Sequence, residues 1–312
     1  MDQKILISLG GNALGTKDRT LREMSDRLAE AVADLTEQGY RPLLCHGNGP
    51  QVGALQNAFG TKKHINRFEA IELADSVAMT QSYMGYQLQN ALESEFRKRK
   101  LDTQVATVVT RVLVDPEDPA FLRPTKPVGP FYTEQEAKEL EANGKTMRED
   151  AGRGYREVVA SPEPLALLEA DVIRLLSEDG VIVIAGGGGG IPVTQTNDGI
   201  APVNAVIDKD FVSAHMADAA GCAMLVILTG VDYVYSGFLQ GNPKKLETLT
   251  ADEARRLGAD GEFAEGSMLP KMKAAVRFAE TGSDRKTLIT SVEKLREGLR
   301  GEVGTWIVPD EK

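Results

Sequence analysis

The sequence predicts an α/β protein with an open, mostly parallel sheet that is sandwiched by helices, and with a small protruding subdomain. Two observations predict the sheet. Short apolar runs alternate with stretches of helical periodicity along most of the chain, and few hairpin turns separate these runs. Strands of a parallel sheet are buried on both faces, so they read as continuous apolar runs, and helices form the crossovers between them.

The first half of the chain establishes the alternation. Residues 5–9 are predicted as a strand, 43–46 as the next strand, and 105–114 as a third, with a long helix over roughly 68–99. The helix between the first two strands has apolar residues at spacings of three and four and ends at a glycine, Gly39. Its apolar positions are Leu21, Met24, Leu28, Val32 and Leu35.

The second half repeats this pattern. Helices are predicted over 165–176, 209–219 and 269–281, buried strands over 181–185 and 224–228, and edge strands at 288–289 and 305–308. A chain of 312 residues has room for one large α/β domain or two medium ones. The prediction is one domain that spans residues 1–312.

Residues 115–164 interrupt the alternation. They hold half of the chain's 14 prolines, and prolines at this density disfavour central strands and continuous helix. A short helix over 133–143 and a hairpin over 146–159, turning at 152–154, are expected within the segment. It is interpreted as an inserted protruding subdomain or lid, and the alternative is a long ordered surface excursion.

Composition excludes several classes of protein. The formal net charge of −10 over 312 residues argues against nucleic acid or an anionic membrane as the main partner. The two cysteines, Cys45 and Cys222, lie in or beside apolar runs and are expected to be buried free thiols. The histidines lack metal-ligand spacing, so no zinc site is expected. The N-terminus does not resemble a signal peptide, and a cytoplasmic protein is predicted.

Residues 76–92 form an uncharged stretch within the long predicted helix. Seventeen residues that include several glutamines are marginal for a membrane span. The stretch nevertheless exceeds what one amphipathic face requires. We therefore expect this helix to be buried on several sides, partly by a second subunit in a homodimer.

Two glycine-rich turns directly follow predicted strands. The first contains Gly10, Gly11 and Asn12, and the second contains Gly49 and Gly53. Glycine lets backbone N–H groups approach an anion closely, and ligands of parallel sheets bind at the carboxyl ends of strands. Together the turns predict a phosphate-sized site, although each alone is equally typical of a tight strand-to-helix turn. The five glycines at 186–190 are not interpreted as a dinucleotide-binding loop, because no amphipathic helix follows them.

Three lysines stand in unusual settings. Lys126 lies between two prolines, Lys209 lies between Asp208 and Asp210, and Lys271 falls in the first turn of a predicted helix. A lysine at a helix start is disfavoured by the helix dipole unless an anion is also present. Phosphoryl transfer requires positive charges around the transferring group. The three lysines are therefore candidates for that chemistry, although each alone is more typical of a solvated surface residue.

Nine strings of residues, spread over nearly the whole chain, strongly resemble carbamate kinases of the amino acid kinase family. They are LGGNA at 9–13, HGNGPQVG at 46–53, VAMTQ at 77–81, PTKPVGPF at 124–131, EDAGRGYR at 149–156, GGGGIPV at 187–193, VIDKDF at 206–211, LTGVDYV at 228–234 and GSMLPK at 266–271. The resemblance implies the amino acid kinase fold, a homodimer, and reversible phosphoryl transfer between carbamoyl phosphate and ADP. The products are ATP and carbamate, which is in equilibrium with ammonia and CO2.

The resemblance also implies roles for individual residues. It assigns catalysis to the lysines and gives Asp210 the task of orienting them: Lys126, Lys209, Lys271 and Asp210. It places on the carbamoyl phosphate side Gly10, Gly11, Asn12, Gly49 and Gly53. It places on the nucleotide side Asp208, Thr229, Gly230, Asp232 and Met268. The alternative for Asp208 is that it caps the helix that starts near Lys209. Mg²⁺ is expected to arrive with the nucleotide, bound mainly by phosphates and water.

One position separates the chain from other branches of the amino acid kinase family. Relatives that act on acetylglutamate carry a lysine immediately before Leu-Gly-Gly, whereas this chain has Ser8. The resemblance implies that Lys126 supplies the missing charge, which argues against acetylglutamate or aspartate as the substrate. Carbamate is already an anionic oxygen nucleophile and needs no general base. The alternatives are another acyl- or carboxyl-phosphate kinase of the same fold, or a nucleotide-binding regulatory paralogue.

Overall fold

Four sheets and nine helices make up the computed structural model, which describes residues 3–10, 20–59, 71–150 and 152–310. The strands are β1 (Gln3–Leu9), β2 (Tyr40–His46), β3 (Val105–Thr107), β4 (Arg111–Leu113), β5 (Lys126–Tyr132), β6 (Met147–Glu149), β7 (Tyr155–Val159), β8 (Ala166–Leu167), β9 (Ile182–Ile184), β10 (Ile191–Thr196), β11 (Gly199–Pro202), β12 (Met224–Thr229), β13 (Val234–Ser236), β14 (Lys244–Leu246), β15 (Thr248–Thr250), β16 (Lys286–Ser291) and β17 (Thr305–Val308). The helices are α1 (Leu21–Glu37), α2 (Gly49–Phe59), α3 (Leu73–Arg99), α4 (Glu134–Ala142), α5 (Ala170–Glu178), α6 (Lys209–Ala219), α7 (Ala251–Ala259), α8 (Met268–Glu280) and α9 (Leu295–Leu299).

The largest sheet has eight strands in the order β15-β17-β16-β12-β1-β2-β9-β3. Every neighbouring pair in it is parallel except β16 and β17. The side chains of successive β1 residues point to opposite faces of the sheet, because side chains alternate along a strand. Ile5 and Ile7 pack with α1 and α3, whereas Leu6 packs with α6 and α8. The predicted open, mostly parallel sheet between helices is confirmed.

Most predicted elements are found within a few residues of their expected bounds. The helix predicted over 209–219 is α6, and the helix predicted over 269–281 is α8. The long helix begins at Leu73, and the start predicted near Phe68 lies outside the described residues. The helix predicted over 165–176 begins later, at Ala170, because 166–167 form the short strand β8.

The strand predicted over 105–114 is wrong as a single element. The chain forms β3 in the large sheet and then β4 in a second sheet of order β11-β10-β4-β8. The break lies at Thr110, whose backbone N–H donates to Gln81 Oε1 at 2.9 Å and whose carbonyl accepts from Gln81 Nε2 at 3.0 Å. A side chain from α3 thus binds the backbone at the point where the strand leaves the sheet.

The two predicted edge strands are also wrong in position. Residues 288–289 belong to β16, which lies between β12 and β17, and 305–308 form β17, which lies between β16 and β15. The edges of the large sheet are β15 and β3. Two hairpins were not predicted, the antiparallel pairs β10 with β11 and β13 with β14. Asp198-Gly199 at the turn of the first is a sequence signal for such a connection.

Part of the proline-rich segment 115–164 forms a sheet of its own, with antiparallel strands in the order β5-β7-β6 and α4 packed beside it. The predicted short helix and the predicted hairpin are both confirmed, as α4 and as β6 and β7. This small sheet contacts the rest of the protein where Gly129 of β5 meets Gly53 of α2. A Cβ built on Gly53 would lie 2.1 Å from the Gly129 Cα, so the contact requires glycine at this position.

Candidate active site

The carboxyl ends of β12, β1 and β2 lie side by side at the centre of the large sheet, and the two glycine-rich turns begin there. The N–H of Gly10 donates to the Leu228 carbonyl at 3.1 Å, and the N–H of Gly47 donates to the Leu9 carbonyl at 3.0 Å. Ligands of parallel sheets bind at this edge. Gly11 and Asn12 lie outside the described residues.

Two buried carboxylates bring the three predicted lysines together from three different elements. Asp210 binds Lys209 through Oδ1 at 2.6 Å and Lys271 of α8 through Oδ2 at 3.1 Å. Asp208 binds Lys126 of β5 through Oδ2 at 2.5 Å. Asp208 is also the N-cap of α6, because its Oδ1 accepts from the Asp210 N–H at 3.0 Å. The capping role and the lysine contact therefore coexist at Asp208.

Charge compensation keeps the central pair ionised despite its burial. Burial alone would raise the pKa of the Asp210 carboxyl, but Lys209 and Lys271 outweigh it and hold that pKa well below its usual range. Burial likewise opposes the charge of Lys209, yet the neighbouring Asp210 outweighs it and raises the pKa of the ammonium. Both groups are charged at neutral pH, and the site offers fixed ammonium groups rather than a titrating acid or base.

A cavity of about 320 Å³ opens over this cluster. Its wall includes both aspartates, all three lysines, the 47–50 turn, and residues of the small sheet. Gly49 lies in this wall, whereas the described wall does not include Gly53, which packs against Gly129 instead. Arg156 also lines the cavity, and its guanidinium donates to the Gly129 carbonyl at 2.9 and 3.1 Å. Sequence reasoning did not single out Arg156, although it stands in one of the quoted strings.

A second cavity of about 410 Å³ adjoins the first, and the two share Ser267 and Lys271. Of the residues predicted on the nucleotide side, Thr229, Gly230 and Met268 line this second cavity. Asp232 is not in its described wall, and its Oδ1 accepts from Ser291 Oγ at 2.5 Å. The wall also contains aromatic and apolar residues that sequence reasoning missed, among them Tyr233, Tyr235, Phe238 and Leu239. Their clustering after β12 was the available signal.

The five glycines at 186–190 allow close contact between backbone and side chains. A Cβ on Gly187 would lie 2.5 Å from the His46 ring, and a Cβ on Gly188 would lie 2.1 Å from the Asn48 amide. The run leads into β10 rather than a helix, which confirms that it lacks the strand-turn-helix arrangement of a dinucleotide-binding loop. The run therefore packs against His46 and Asn48, at the start of the second glycine-rich turn.

Neither cysteine lies in the described wall of either cavity. Cys45 and Cys222 are free and buried, as predicted, and burial raises the pKa of both thiols. Within the described ranges, no group of three or more histidine, cysteine or carboxylate side chains is arranged to hold a metal ion. Within the same ranges, no helix has the length and apolar character needed to span a membrane.

Comparison with known proteins identifies the family. A model of the amino acid kinase family matches residues 3–291. The chain is 45% identical over 308 residues to the carbamate kinase-like protein YqeA of Escherichia coli K12, covering 98% of this chain and 99% of that protein. It is 44% identical over 305 residues to a carbamate kinase of Staphylococcus haemolyticus, covering 97% and 99% of the two chains.

A solved structure agrees with these sequence matches. Carbamate kinase from Giardia lamblia bound to AMP-PNP superimposes with a TM-score of 0.89, at 38% identity and over 99% of both chains. The predicted amino acid kinase fold is thereby confirmed. With three lysines converging in the wall of one cavity and full-length similarity of this degree, the chain belongs to the amino acid kinase family, in its carbamate kinase branch.

Proposed function

We propose that this protein transfers a phosphoryl group reversibly between carbamoyl phosphate and ADP, giving ATP and carbamate. The observation that carries the proposal is the convergence of Lys126, Lys209 and Lys271 in the wall of the first cavity, with Lys271 also in the wall of the second. A transferring phosphoryl group needs positive charges on its equatorial and bridging oxygens. The described walls of both cavities contain no histidine. This suits carbamate, since an anionic nucleophile needs no general base.

The proposed roles follow from position. Lys271 lies in the wall of both cavities, so it is assigned to the phosphoryl group between the two substrates. Lys209 and Lys126 are assigned to the carbamoyl phosphate side, and Asp210 fixes the distance between Lys209 and Lys271. Holding the reactants in line between fixed charges lowers the barrier by positioning and electrostatics.

The two substrates are assigned to opposite cavities. Carbamoyl phosphate is proposed to bind at the glycine-rich turns, through Gly10, Gly11, Asn12 and Gly49, with Gly53 acting through its contact with β5. The nucleotide is proposed to bind beside Thr229, Gly230, Asp232 and Met268, with Asp208 at the boundary. The aromatic wall formed by Tyr233, Tyr235 and Phe238 suits the flat apolar face of a nucleobase.

Mg²⁺ is proposed to accompany the nucleotide. Asp208 and Asp210 are already bound by lysines, and Glu262 in the wall of the second cavity accepts from the Gly237 N–H. Phosphate and water oxygens are therefore its proposed ligands, which is the way Mg²⁺ commonly binds in such enzymes. Bound there, the ion would neutralise charge on the nucleotide phosphates.

A homodimer is proposed through α3. Its outer face carries Met79, Tyr83 and Tyr86, which are 44%, 52% and 59% exposed and are spaced to form one stripe. Thr107, on the edge strand β3, packs directly against Gly85 of the same helix. An edge strand beside an exposed stripe is a surface that a second copy of the chain could cover symmetrically.

Light scattering at micromolar concentration tests the dimer. Wild-type protein should have the mass of two chains, and Tyr83→Glu should shift the mass towards one. Leu122→Glu is the matched control, since Leu122 is 86% exposed outside α3. A monomeric wild-type protein would rule the dimer out.

We also propose a cytoplasmic location, because buried free thiols suit a reducing compartment.

A coupled assay of ATP formation tests the reaction. Carbamoyl phosphate, ADP and Mg²⁺ should yield ATP, whereas acetyl phosphate in place of carbamoyl phosphate should yield far less. Efficient use of acetyl phosphate would instead favour a broader acyl-phosphate kinase. Nucleotide binding without phosphoryl transfer in either direction would favour a regulatory paralogue and refute the proposal.

A further inference from the structure

Ser8, the residue that stands where acetylglutamate-specific relatives have lysine, lies at the centre of a buried polar network. Its side chain is on β1, between Cys45 of β2 and Ile227 of β12, and it has no solvent exposure. Ser8 Oγ accepts from Lys209 Nζ at 2.8 Å, and its own hydroxyl points to Asp210 Oδ1 at 3.4 Å. A neutral hydroxyl on β1 therefore contacts both Lys209 and Asp210.

Ser213 connects this contact to the helix that carries Lys209. It lies one turn further along α6, is also fully buried, and its hydroxyl is 2.9 Å from Ser8 Oγ and 2.7 Å from the Lys209 carbonyl. The two serines thus link β1 to the first turn of α6. Neither residue is in the described wall of the cavity, so neither is placed to touch a substrate.

The ammonium of Lys209 has three N–H donors. One is directed to Ser8 Oγ and one to Asp210 Oδ1, which leaves the third for the cavity that Lys209 lines. Since two contacts fix the direction of the third donor, removing one of them should let the ammonium rotate. A lysine at position 8 would instead bring a like charge against Lys209.

We propose that Ser8 and Ser213 are positioning residues that aim the ammonium of Lys209 at the transferring phosphoryl group. This inference rests on the proposed reaction, in which Lys209 contacts that group. Ser8 then has a role of its own and does not only replace a lysine. Its hydroxyl accepts a hydrogen bond from a lysine that comes from a different element of the fold.

Kinetics of Ser8→Ala and Ser8→Cys test the inference, with Ser177→Ala as the control. Ser177 has a buried hydroxyl that donates to a helical carbonyl on α5, away from the cavity. The first two variants should each lose about tenfold in kcat, with both KM values within about twofold of wild type, while the control keeps wild-type kcat. Normal kcat in Ser8→Cys, which keeps the volume but weakens the acceptor, would overturn the inference, as would an equal loss in the control.

Ser213 is tested by a double-mutant cycle. If the two hydroxyls act through one network, Ser8→Ala with Ser213→Ala should lose no more kcat than the worse single variant. Losses that multiply, or no loss in Ser213→Ala, would remove Ser213 from the proposal.

A second readout does not depend on turnover. Competitive acetylation by acetic anhydride across a pH series, read at Lys209 by mass spectrometry, follows the ionisation of this ammonium. The groups that face it are Asp208 and Asp210 on its own helix, Cys45 and His46 on β2, and Lys271 through Asp210. All of these remain in Ser8→Ala.

Losing an acceptor destabilises the ammonium, so Lys209 should become reactive at a pH about one unit lower in Ser8→Ala. An unchanged profile would overturn the inference whether or not the wild-type protein makes ATP. If the wild-type protein makes no ATP but Ser8→Ala still shifts the pH profile of Lys209, the result would count against the proposed reaction alone.

Discussion

Replacing Asp210 with asparagine should destabilise the protein, because it removes a buried carboxylate that contacts two partly buried lysines. Asparagine has nearly the same shape, so packing is preserved and only the charge is lost. Asp210 is 3% exposed, and its oxygens lie 2.6 Å from Lys209 Nζ and 3.1 Å from Lys271 Nζ. The substitution leaves two ammonium groups close together with no carboxylate between them.

The expected loss follows from these contacts. Breaking a buried ion pair by removing one partner costs about 3–5 kcal/mol. For a chain of this size, Tm changes by roughly 2 °C per kcal/mol, so Tm should fall by about 6–10 °C. Asp218→Asn is the matched control on the same helix, since Asp218 is half exposed and pairs with Arg285 at the surface. That pair should contribute about 0–1 kcal/mol.

Urea unfolding of wild type and both variants measures these differences, and its pH dependence supplies a second check. The folded-state pKa of Asp210 is depressed, so its contribution is present above the unfolded value of about 3.9 and is lost as pH falls through the folded value. The gap between wild type and Asp210→Asn should therefore be constant from about pH 5 to 8 and should narrow below about pH 4. A gap no larger than that of Asp218→Asn would refute the argument.

Three further predictions concern activity, the proposed lid and acid stability. Lys209→Ala or Lys271→Ala should lower turnover by about 10²-fold or more, and near-normal turnover in both folded variants would refute the lysine assignment. Lys126→Ala should lose turnover while ADP affinity by calorimetry stays nearly unchanged, because the nucleotide side is built by the other half of the chain. A parallel loss of affinity, or amide exchange of 115–164 as slow as that of the central strands with and without substrate, would contradict the lid. Burial lowers the pKa of His46 to about 4, so its contribution to stability is present above the unfolded value of about 6.5 and is lost as pH falls to 4. Between pH 7 and 5 this should cost about 2 kcal/mol in urea unfolding, and His46→Gln should remove most of that loss.

Local signals predicted the elements well where the cause is local. The bounds of α6 follow from Asp208, whose side chain caps the helix, so the predicted and observed starts agree. The strand predicted over 105–114 failed because its break depends on Gln81, a partner from a helix that precedes it in the chain. The order of β16 and β17 was likewise set by pairing between distant segments, which no local pattern reveals.

The same distinction applies to the candidate site. The lysines could be singled out because their immediate neighbours are unusual for lysine. The contact between Gly53 and Gly129 could not, since it depends on which two backbones meet in space. From the sequence, Ser8 could be interpreted only as the loss of a lysine. Its hydrogen bond with Lys209 depends on how β1 and α6 pack, which only the structure shows.

Charge balance within the site explains how a protein of net charge −10 can bind two anionic substrates. Three lysines face two aspartates, so this cluster alone carries one excess positive charge. The aspartates prevent the ammonium groups from repelling one another and hold them at fixed distances before substrate arrives. The charges then need no reorganisation during transfer, which is the condition under which electrostatic stabilisation favours the transition state. A more positive cluster would bind ground-state phosphate more tightly without raising turnover, because uniform binding does not lower the barrier.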